Sequence, residues 1–489
     1  MTQHTATARH TGLGLLAASV PMFMVALDNL VVTNALPSIR NELDATEVEL
    51  QWVVNAYVLA FAGLLLTGAA LGDRFGRRRT FVGGIVLFIV GSIGSALSGS
   101  IGLLIAARVV QGVGAAAVQP LSLTLVAGAV PPGRRNAAIG LWGGINGIGV
   151  ALGPMVGGAV TAGLSWQWIF WINVPIALLV LPLIRLTIVE SHGRDRELDL
   201  PGVLLVTAGV TLGVLGIVQS SRYGWVSPLV FGPLAASGLL VTLFVRWERR
   251  APVPLLPLHF YRIRAFVLSN VVSMAMFFGV FGSVFFLNQY MQGPMGFDPL
   301  RAGLSTLPWT AMPMLVAPLT GLVVDRIGGS RLMAAGLALQ AVALGWLALV
   351  VRIDTQYPTL VPALVVGGIG MGLVFAPTMA VVLGSVRPHE YGKASGANNT
   401  VREIGGALGV AVLTTVFRHQ FVGLKILSPV EAHRAFVHGM VVAVWVGVAV
   451  VAAGAVVALF IPRTAGIARE FSEERPGGAS TPERDEVAA

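Results

Sequence analysis

Runs of about 20 apolar residues, separated by short polar turns, recur along the chain. They fall at about 12–36, 50–71, 80–99, 101–126, 136–161, 167–189, 200–220, 228–247, 265–288, 300–323, 331–351, 360–384, 394–417 and 436–461. Each is long enough to cross a hydrocarbon core of about 30 Å as a helix rising about 1.5 Å per residue. A transmembrane barrel would instead need roughly ten-residue segments of alternating polarity, and none occur. The pattern predicts an all-α polytopic membrane protein with fourteen transmembrane helices.

Composition agrees with the pattern. Of 489 residues, 55% are hydrophobic and only 11% charged, whereas a soluble protein carries roughly 25% charged residues. The net charge of +9 would suggest nucleic acid in a soluble protein. Here the arginines sit in short loops between spans, which makes them a topology signal and excludes a nucleic-acid partner. With the N-terminus inside, 23 arginines and lysines fall on the cytoplasmic side and 7 outside. Both termini are therefore expected in the cytoplasm, and the four acids between Arg40 and Glu49 suit an outer loop. Arg9 precedes an apolar run from Gly12 that has no small-residue cleavage site, so the first span is expected to be retained. The absence of cysteine excludes disulfides and thiolate metal sites. Residues 464–489, rich in charge, Pro, Gly and Ser, are expected to form a disordered cytoplasmic tail.

The spans repeat. Gly72-Asp73-Arg74-Phe75-Gly76-Arg77-Arg78-Arg79 follows the second span, and Gly321 through Asp325-Arg326-Ile327-Gly328 follows the tenth. The two aspartates lie 252 residues and eight spans apart, and an even shift preserves orientation, so the halves are parallel repeats. The expected plan is 6+2+6: a short segment 1–11, a six-helix bundle over 12–189, a linker with two inserted helices over 190–250, and a second bundle over 251–463.

Several chemistries are excluded. A Walker A loop needs a lysine followed by Ser or Thr, yet the two lysines, Lys393 and Lys425, precede Ala394 and Ile426. No H-E-x-x-H or G-x-S-x-G motif occurs. Gly367, Gly368, Gly370 and Gly372 lie inside an apolar span, where they serve close helix packing. An enzyme is not expected, nor is a metal or cofactor.

A charge near the bilayer centre costs about 2.5 to 3.5 kcal/mol on insertion scales, so four residues need a reason: Asp28, Arg108, Arg402 and Glu403. Asp28 and Arg108 lie at matching depths in oppositely running spans, which allows a buried pair or a water-bridged contact. A structural ion pair is one reading; the other is proton exchange, which a carboxylate beside a movable cation in a wet cleft would perform. Glu403 is either a proton or substrate carboxylate or a structural partner of Arg402. Asn399 and Asn398 lie one turn before Glu403 and Arg402, and the roughly 100° between neighbours keeps Arg402 and Glu403 from facing one point. Phe277, Phe281 and Phe285 form a stripe that faces either lipid or a drug cavity, the latter helped by Met274, Met276, Met312 and Met314. Asn288, Gln289 and Tyr290 follow at the outer mouth, and Asn29, Asn55, Tyr57, Gln119, Asn146, Asn399 and Arg402 complete the expected cavity.

The fifth span contains Gly140, Gly149, Gly153-Pro154 and Gly157-Gly158, a smooth helix suited to a half-to-half interface. With this element the chain resembles the major facilitator superfamily, specifically its fourteen-span drug/proton antiporter family, over residues 12 to about 463. Leu104 to Ala115, with Arg108, Gln111, Gly112 and Gly114, is similar to the family's span-four motif. Leu27-Asp28 through Asn34-Ala35-Leu36-Pro37 resembles its first-span element. The loop at Asp73 departs at its leading glycine, which is Ala69 here, and Trp166-Gln167-Trp168 has glutamine where the family usually has arginine.

The resemblance implies two six-helix bundles around a central cavity that opens alternately to each side, with proton entry driving export of hydrophobic drugs. In that scheme Asp28 and Glu403 exchange protons or contact substrate and Arg108 modulates Asp28. Asp73, Arg74, Gly76, Arg77 and Arg78, with Gly321, Asp325 and Arg326, latch the cytoplasmic side. The expected partners are a hydrophobic small molecule, protons and the lipid bilayer, for a monomer in the bacterial cytoplasmic membrane that uses no ATP. The alternative is an exporter dedicated to one endogenous metabolite, antibiotic or lipid. A nutrient importer would not need the antiporter element, and a non-transporting sensor would need neither Asp28 nor Glu403. Two buried acids balance two buried bases, so the substrate's charge stays open.

Overall fold

The computed structural model describes residues 2–193, 199–421 and 428–462, apart from the side chains of residues 2–11, 30, 34, 47, 132, 150, 151, 154, 161, 162 and 299. The expected tail at 464–489 lies outside the described residues. The first half comprises α1 (Thr2–Leu43), α2 (Glu47–Phe75), α3 (Arg77–Ala96), α4 (Ile101–Gly128), α5 (Arg135–Gly163) and α6 (Trp168–Thr187). The inserted pair is α7 (Leu200–Tyr223) and α8 (Pro228–Glu248). The second half comprises α9 (Arg264–Gln292), α10 (Leu300–Ile327), α11 (Gly329–Val350), α12 (Tyr357–Gly384), α13 (Tyr391–His419) and α14 (Pro429–Leu459). Thirteen of the described helices are long and apolar enough to span a membrane. α5, with some side chains outside the description, is a helix of 29 residues.

Local chemistry sets the helix ends. Thr46 and Glu49 form a reciprocal capping box at the start of α2, and Ser100, Asp199 and Ser428 cap α4, α7 and α14 with side-chain oxygens. The two repeat loops turn on the same device. Gly76 and Gly328 each follow their aspartate by three residues and adopt φ of 104° and 94°, a region that favours glycine.

Packing repeats as the sequence does. α2 and α3 pack on α4 and α1 on α5 and α6; correspondingly α10 and α11 pack on α12 and α9 on α13 and α14. The halves meet chiefly through α5 against α10 and through α2 against α13, with smaller contacts of α4 with α13 and α5 with α12, as a pseudo-twofold arrangement requires. Lipid is as apolar as a helix core, so these contacts depend on close approach of small residues rather than on burial from water. At Gly140 an added Cβ would lie 2.6 Å from the Ala317 carbonyl oxygen, and at Gly321 one would lie 2.5 Å from that of Asn136.

α7 packs against both α2 and α13, whereas α8 packs on α7 and leaves its far side exposed. Thr207 and Thr67 share a hydrogen bond of 3.0 Å, with Thr211 beside Gly63. In the turn after α7, the Trp225 indole N–H donates to Thr415 Oγ1 at 2.9 Å, and in the last turn of α7 the Ser221 carbonyl accepts from Arg418.

Candidate substrate cavity

A cavity of about 1440 Å³ lies between the halves, walled by α1, α2, α7, α9 and α13. It opens at the end that carries Arg40, Trp52, Arg222 and Arg418. The opposite end is shut. The Arg77 guanidinium pairs with Asp73 at 2.8 Å and donates to the His389 carbonyl at 3.1 Å. Arg135 donates to the Tyr391 hydroxyl at 2.7 Å, and Asn136 donates to Asp325 at 2.7 Å. Nearer the cavity floor, Gln119 donates to Asn399 Oδ1 at 2.9 Å, joining α4 to α13.

Of the residues expected in the cavity, Asn29, Asn55, Phe281, Phe285 and Arg402 line it, together with Phe277 and Glu403. The phenylalanine stripe thus belongs to the cavity rather than to lipid, but the methionines do not join it. Met276 is in the core, Met274 packs on Gly405, Met312 packs near Gly368 and Met314 is exposed on α10. The other residues expected in the cavity lie outside its lining in this structure. Tyr57 is fully buried behind the wall, its ring under the Arg108 guanidinium at 4.2 Å. Asn146 is buried apart from the cavity, and Gln119 and Asn399 are occupied with each other. Tyr290 donates to the Arg352 carbonyl at 2.6 Å, Asn288 accepts from Gln292 at 3.0 Å, and Gln289 lines a separate recess of about 380 Å³. Gln119, Asn399 and Tyr290 thus meet partners on other helices, which satisfies them away from the cavity.

Arg402 and Glu403 both reach the cavity, because a space this wide touches more than one face of α13. Arg402 lies between the rings of Phe277 and Phe375, at 4.3 and 4.6 Å, and donates to Asn399 at 3.0 Å. The expected pairing with Asn398 does not form, since Asn398 donates to Asn270 and Ser273 instead. Glu403 is half-buried and makes no hydrogen bond among the described residues.

Asp28 and Arg108 meet directly, with Nη1 2.6 Å from Oδ2 and both side chains buried. Gln111 and Asn173 also donate to Asp28, at 3.2 and 3.0 Å. Neither Asp28 nor Arg108 lines the cavity, so the two cancel behind its wall. The cavity itself is lined by Arg40, Arg222, Arg402 and Arg418 against one acid, Glu403. The balance of two against two expected from buried charges therefore does not hold at the cavity surface.

At the closed end the loop after α2 is held by an acid the sequence did not single out. Glu190 accepts from the backbone N–H groups of Arg78 and Arg79, at 2.9 and 3.1 Å, and packs beside Gly76. Arg74 lies over the ring of Phe75, and Arg326 is exposed. In α5, Gly140 faces α10, Gly149 faces Phe23 of α1 and Gly158 faces Leu300, with Gly153 and Gly157 buried; the Pro154 side chain lies outside the described residues. Gln167, in place of an arginine, donates to Glu42 at 2.8 Å alongside Trp166, also at 2.8 Å.

Two six-helix halves related by a pseudo-twofold, enclosing a cavity open at one end, define a membrane carrier that handles small molecules. The Major Facilitator Superfamily profile matches residues 19–410, and the chain belongs to this family of transporters. It is 35% identical over 401 residues to the tetracenomycin C resistance and export protein of Streptomyces glaucescens, covering 82% of this chain and 74% of that one. It is also 35% identical over 490 residues to the puromycin resistance protein pur8 of Streptomyces alboniger, covering 96% and 94%. Among solved structures, the proton:xylose symporter XylE superposes with a TM-score of 0.65 at 15% identity, covering 94% of this chain and 97% of that one, a likeness of fold.

Proposed function

We propose that the protein is a proton-coupled antiporter that exports hydrophobic drugs or antibiotics by alternating access. It works as a monomer in the cytoplasmic membrane of a bacterium, with both termini inside, no cofactor, no ATP and no enzymatic activity. The observation that carries this reading is Glu403, a carboxylate with no hydrogen bond among the described residues, on the wall of an aromatic-lined cavity that is shut at the Asp73 end. A carboxylate in that place can take a proton from the open side as a drug leaves. Asp28 already holds three donors and the charge of Arg108, so in this reading it organises the first half and Glu403 carries the proton. The basic wall favours uncharged over cationic drugs. The alternative, an exporter dedicated to one endogenous metabolite, draws on relatives that are each named for a single antibiotic.

The test is drug-triggered proton movement. Wild type, Glu403→Gln and Asp28→Asn are reconstituted in liposomes with an internal pH dye, a proton gradient is imposed, and a panel including puromycin and chloramphenicol is added. Flux in the wild type that is lost in Glu403→Gln is the expected result. Flux surviving in Glu403→Gln moves the proton site to Asp28, and no flux from folded wild type with any drug overturns multidrug antiport.

A further inference from the structure

We propose that the inserted helix α7 is a third wall of the substrate site and that Gln219 on it selects substrate by hydrogen bonding. This rests on the cavity being the transport site. Leu215, Val218, Gln219, Arg222 and Tyr223 line the cavity, joined near the mouth by Ser221. The first five, spaced three, one, three and one, form a single helical face, and Ser221 joins them where the cavity widens at the end of the helix. The first part of α7 is spent differently, with Thr207 and Thr211 against Thr67 and Gly63 of α2. α7 is thus packed on the first half at one end and turned to the cavity at the other. The contact with α8 uses another face, where Gly209, Gly213 and Gly216 meet Val241, Ser237 and Leu234.

Gln219 is the polar residue deepest along this face. Its primary amide is half-buried, offers two donors and an acceptor oxygen, and has no partner among the described residues. A half-buried amide facing an aromatic-lined space is satisfied by water when the site is empty and by a ligand's hydrogen-bonding group when it is filled. An inserted pair serving only as a lipid-facing spacer would instead present apolar residues on every open face.

The chain has no cysteine, so single cysteines can be introduced without background. Leu215→Cys, Gln219→Cys and, as a lipid-facing control, Leu204→Cys, at a position 69% exposed, are treated with the membrane-impermeant anionic sulfonatoethyl methanethiosulfonate, which the basic wall admits. Modification forms a mixed disulfide and releases methanesulfinate. Leu215→Cys and Gln219→Cys should react at least about tenfold faster than Leu204→Cys, because a thiol in hydrocarbon does not ionise. Equal, slow labelling at all three overturns the wall assignment, and does so whether or not the protein exports drugs. The selective role is read from binding. Gln219→Leu should weaken chloramphenicol, which has hydroxyl and amide groups, by about three- to tenfold, while leaving the apolar N-phenyl-1-naphthylamine unchanged. Unchanged affinity for both probes, or an equal loss for both, overturns it.

Discussion

Removing the charge of Asp28 alone should be far more damaging than removing the whole pair. Asp28→Asn keeps the shape and two of the amide contacts but leaves Arg108 as an uncompensated cation in a site where its side chain is 0% exposed. Its remaining neighbours are the Val53 carbonyl at 3.3 Å, Gln111 at 2.9 Å and the rings of Tyr57 and Phe170 at 4.2 and 5.9 Å. Breaking one side of a buried ion pair costs about 3–5 kcal/mol, whereas exchanging both sides for neutral groups of similar shape is close to neutral. Asp28→Asn with Arg108→Gln should therefore recover at least about 2 kcal/mol of the loss. The assay is equilibrium unfolding of purified wild type, both single variants and the double variant in mixed micelles, read by tryptophan emission. Losses that simply add in the double variant would refute the argument, since two groups that cancel each other cannot act independently.

Other expectations concern the contacts between helices. A Cβ at Gly140 would sit 2.6 Å from the Ala317 carbonyl oxygen, so Gly140→Val must part α5 and α10 by about 0.8 Å to reach an ordinary 3.4 Å contact. In that background, Gln119→Cys should become more reactive to a water-soluble thiol reagent added from the Asp73 side; unchanged reactivity would contradict the packing argument. Gly76→Ala should lower thermal stability more than Gly328→Ala. Both carry positive φ, worth about 1–3 kcal/mol, but only at Gly76 would the Cβ also meet Glu190, at 2.7 Å, and nothing lies within 4 Å at Gly328. Thr67→Cys with Thr207→Cys should cross-link under mild oxidation, the native hydroxyls being 3.0 Å apart. α7 packs along α2 but reaches α13 mainly near its turn, so the cross-linked protein should retain transport. Loss of transport on cross-linking, restored by reduction, would mean that α7 moves against α2.

What the sequence made legible was whatever repeats or costs energy in hydrocarbon. The Asp73 and Asp325 loops identified the two halves, and their glycines share one backbone conformation. The contact of Asp28 with Arg108 followed from depth along oppositely running spans. The cavity wall was harder to read, because a helix between lipid and protein is apolar on all sides and carries little periodic signal of which face is which. Polar residues were the remaining clue, and most of them pointed elsewhere: Gln119 and Asn399 bond each other, and Tyr290 bonds a backbone carbonyl. Gln219 and Arg222 were missed because α7 has no counterpart in the other half, so no symmetry argument reaches it. Arg40, Arg222 and Arg418 had been read only as topology markers.

The placement of α7 also decides where a passenger can go. On one side of the open end, α5 meets the start of α10, with Gly158 against Leu300. On the other, the gap between α2 and α13 is filled by α7, tied to α13 by Trp225 and Arg418. With both flanks shut, the cavity is open endwise to water and not sideways to the adjoining leaflet. In the export cycle proposed above, that difference sets the efficiency with which a greasy molecule is removed. A molecule shed into the leaflet would stay at high local concentration beside the barrier it had just crossed and would leak back. One shed into water is diluted into the bulk before it can dissolve in the bilayer again.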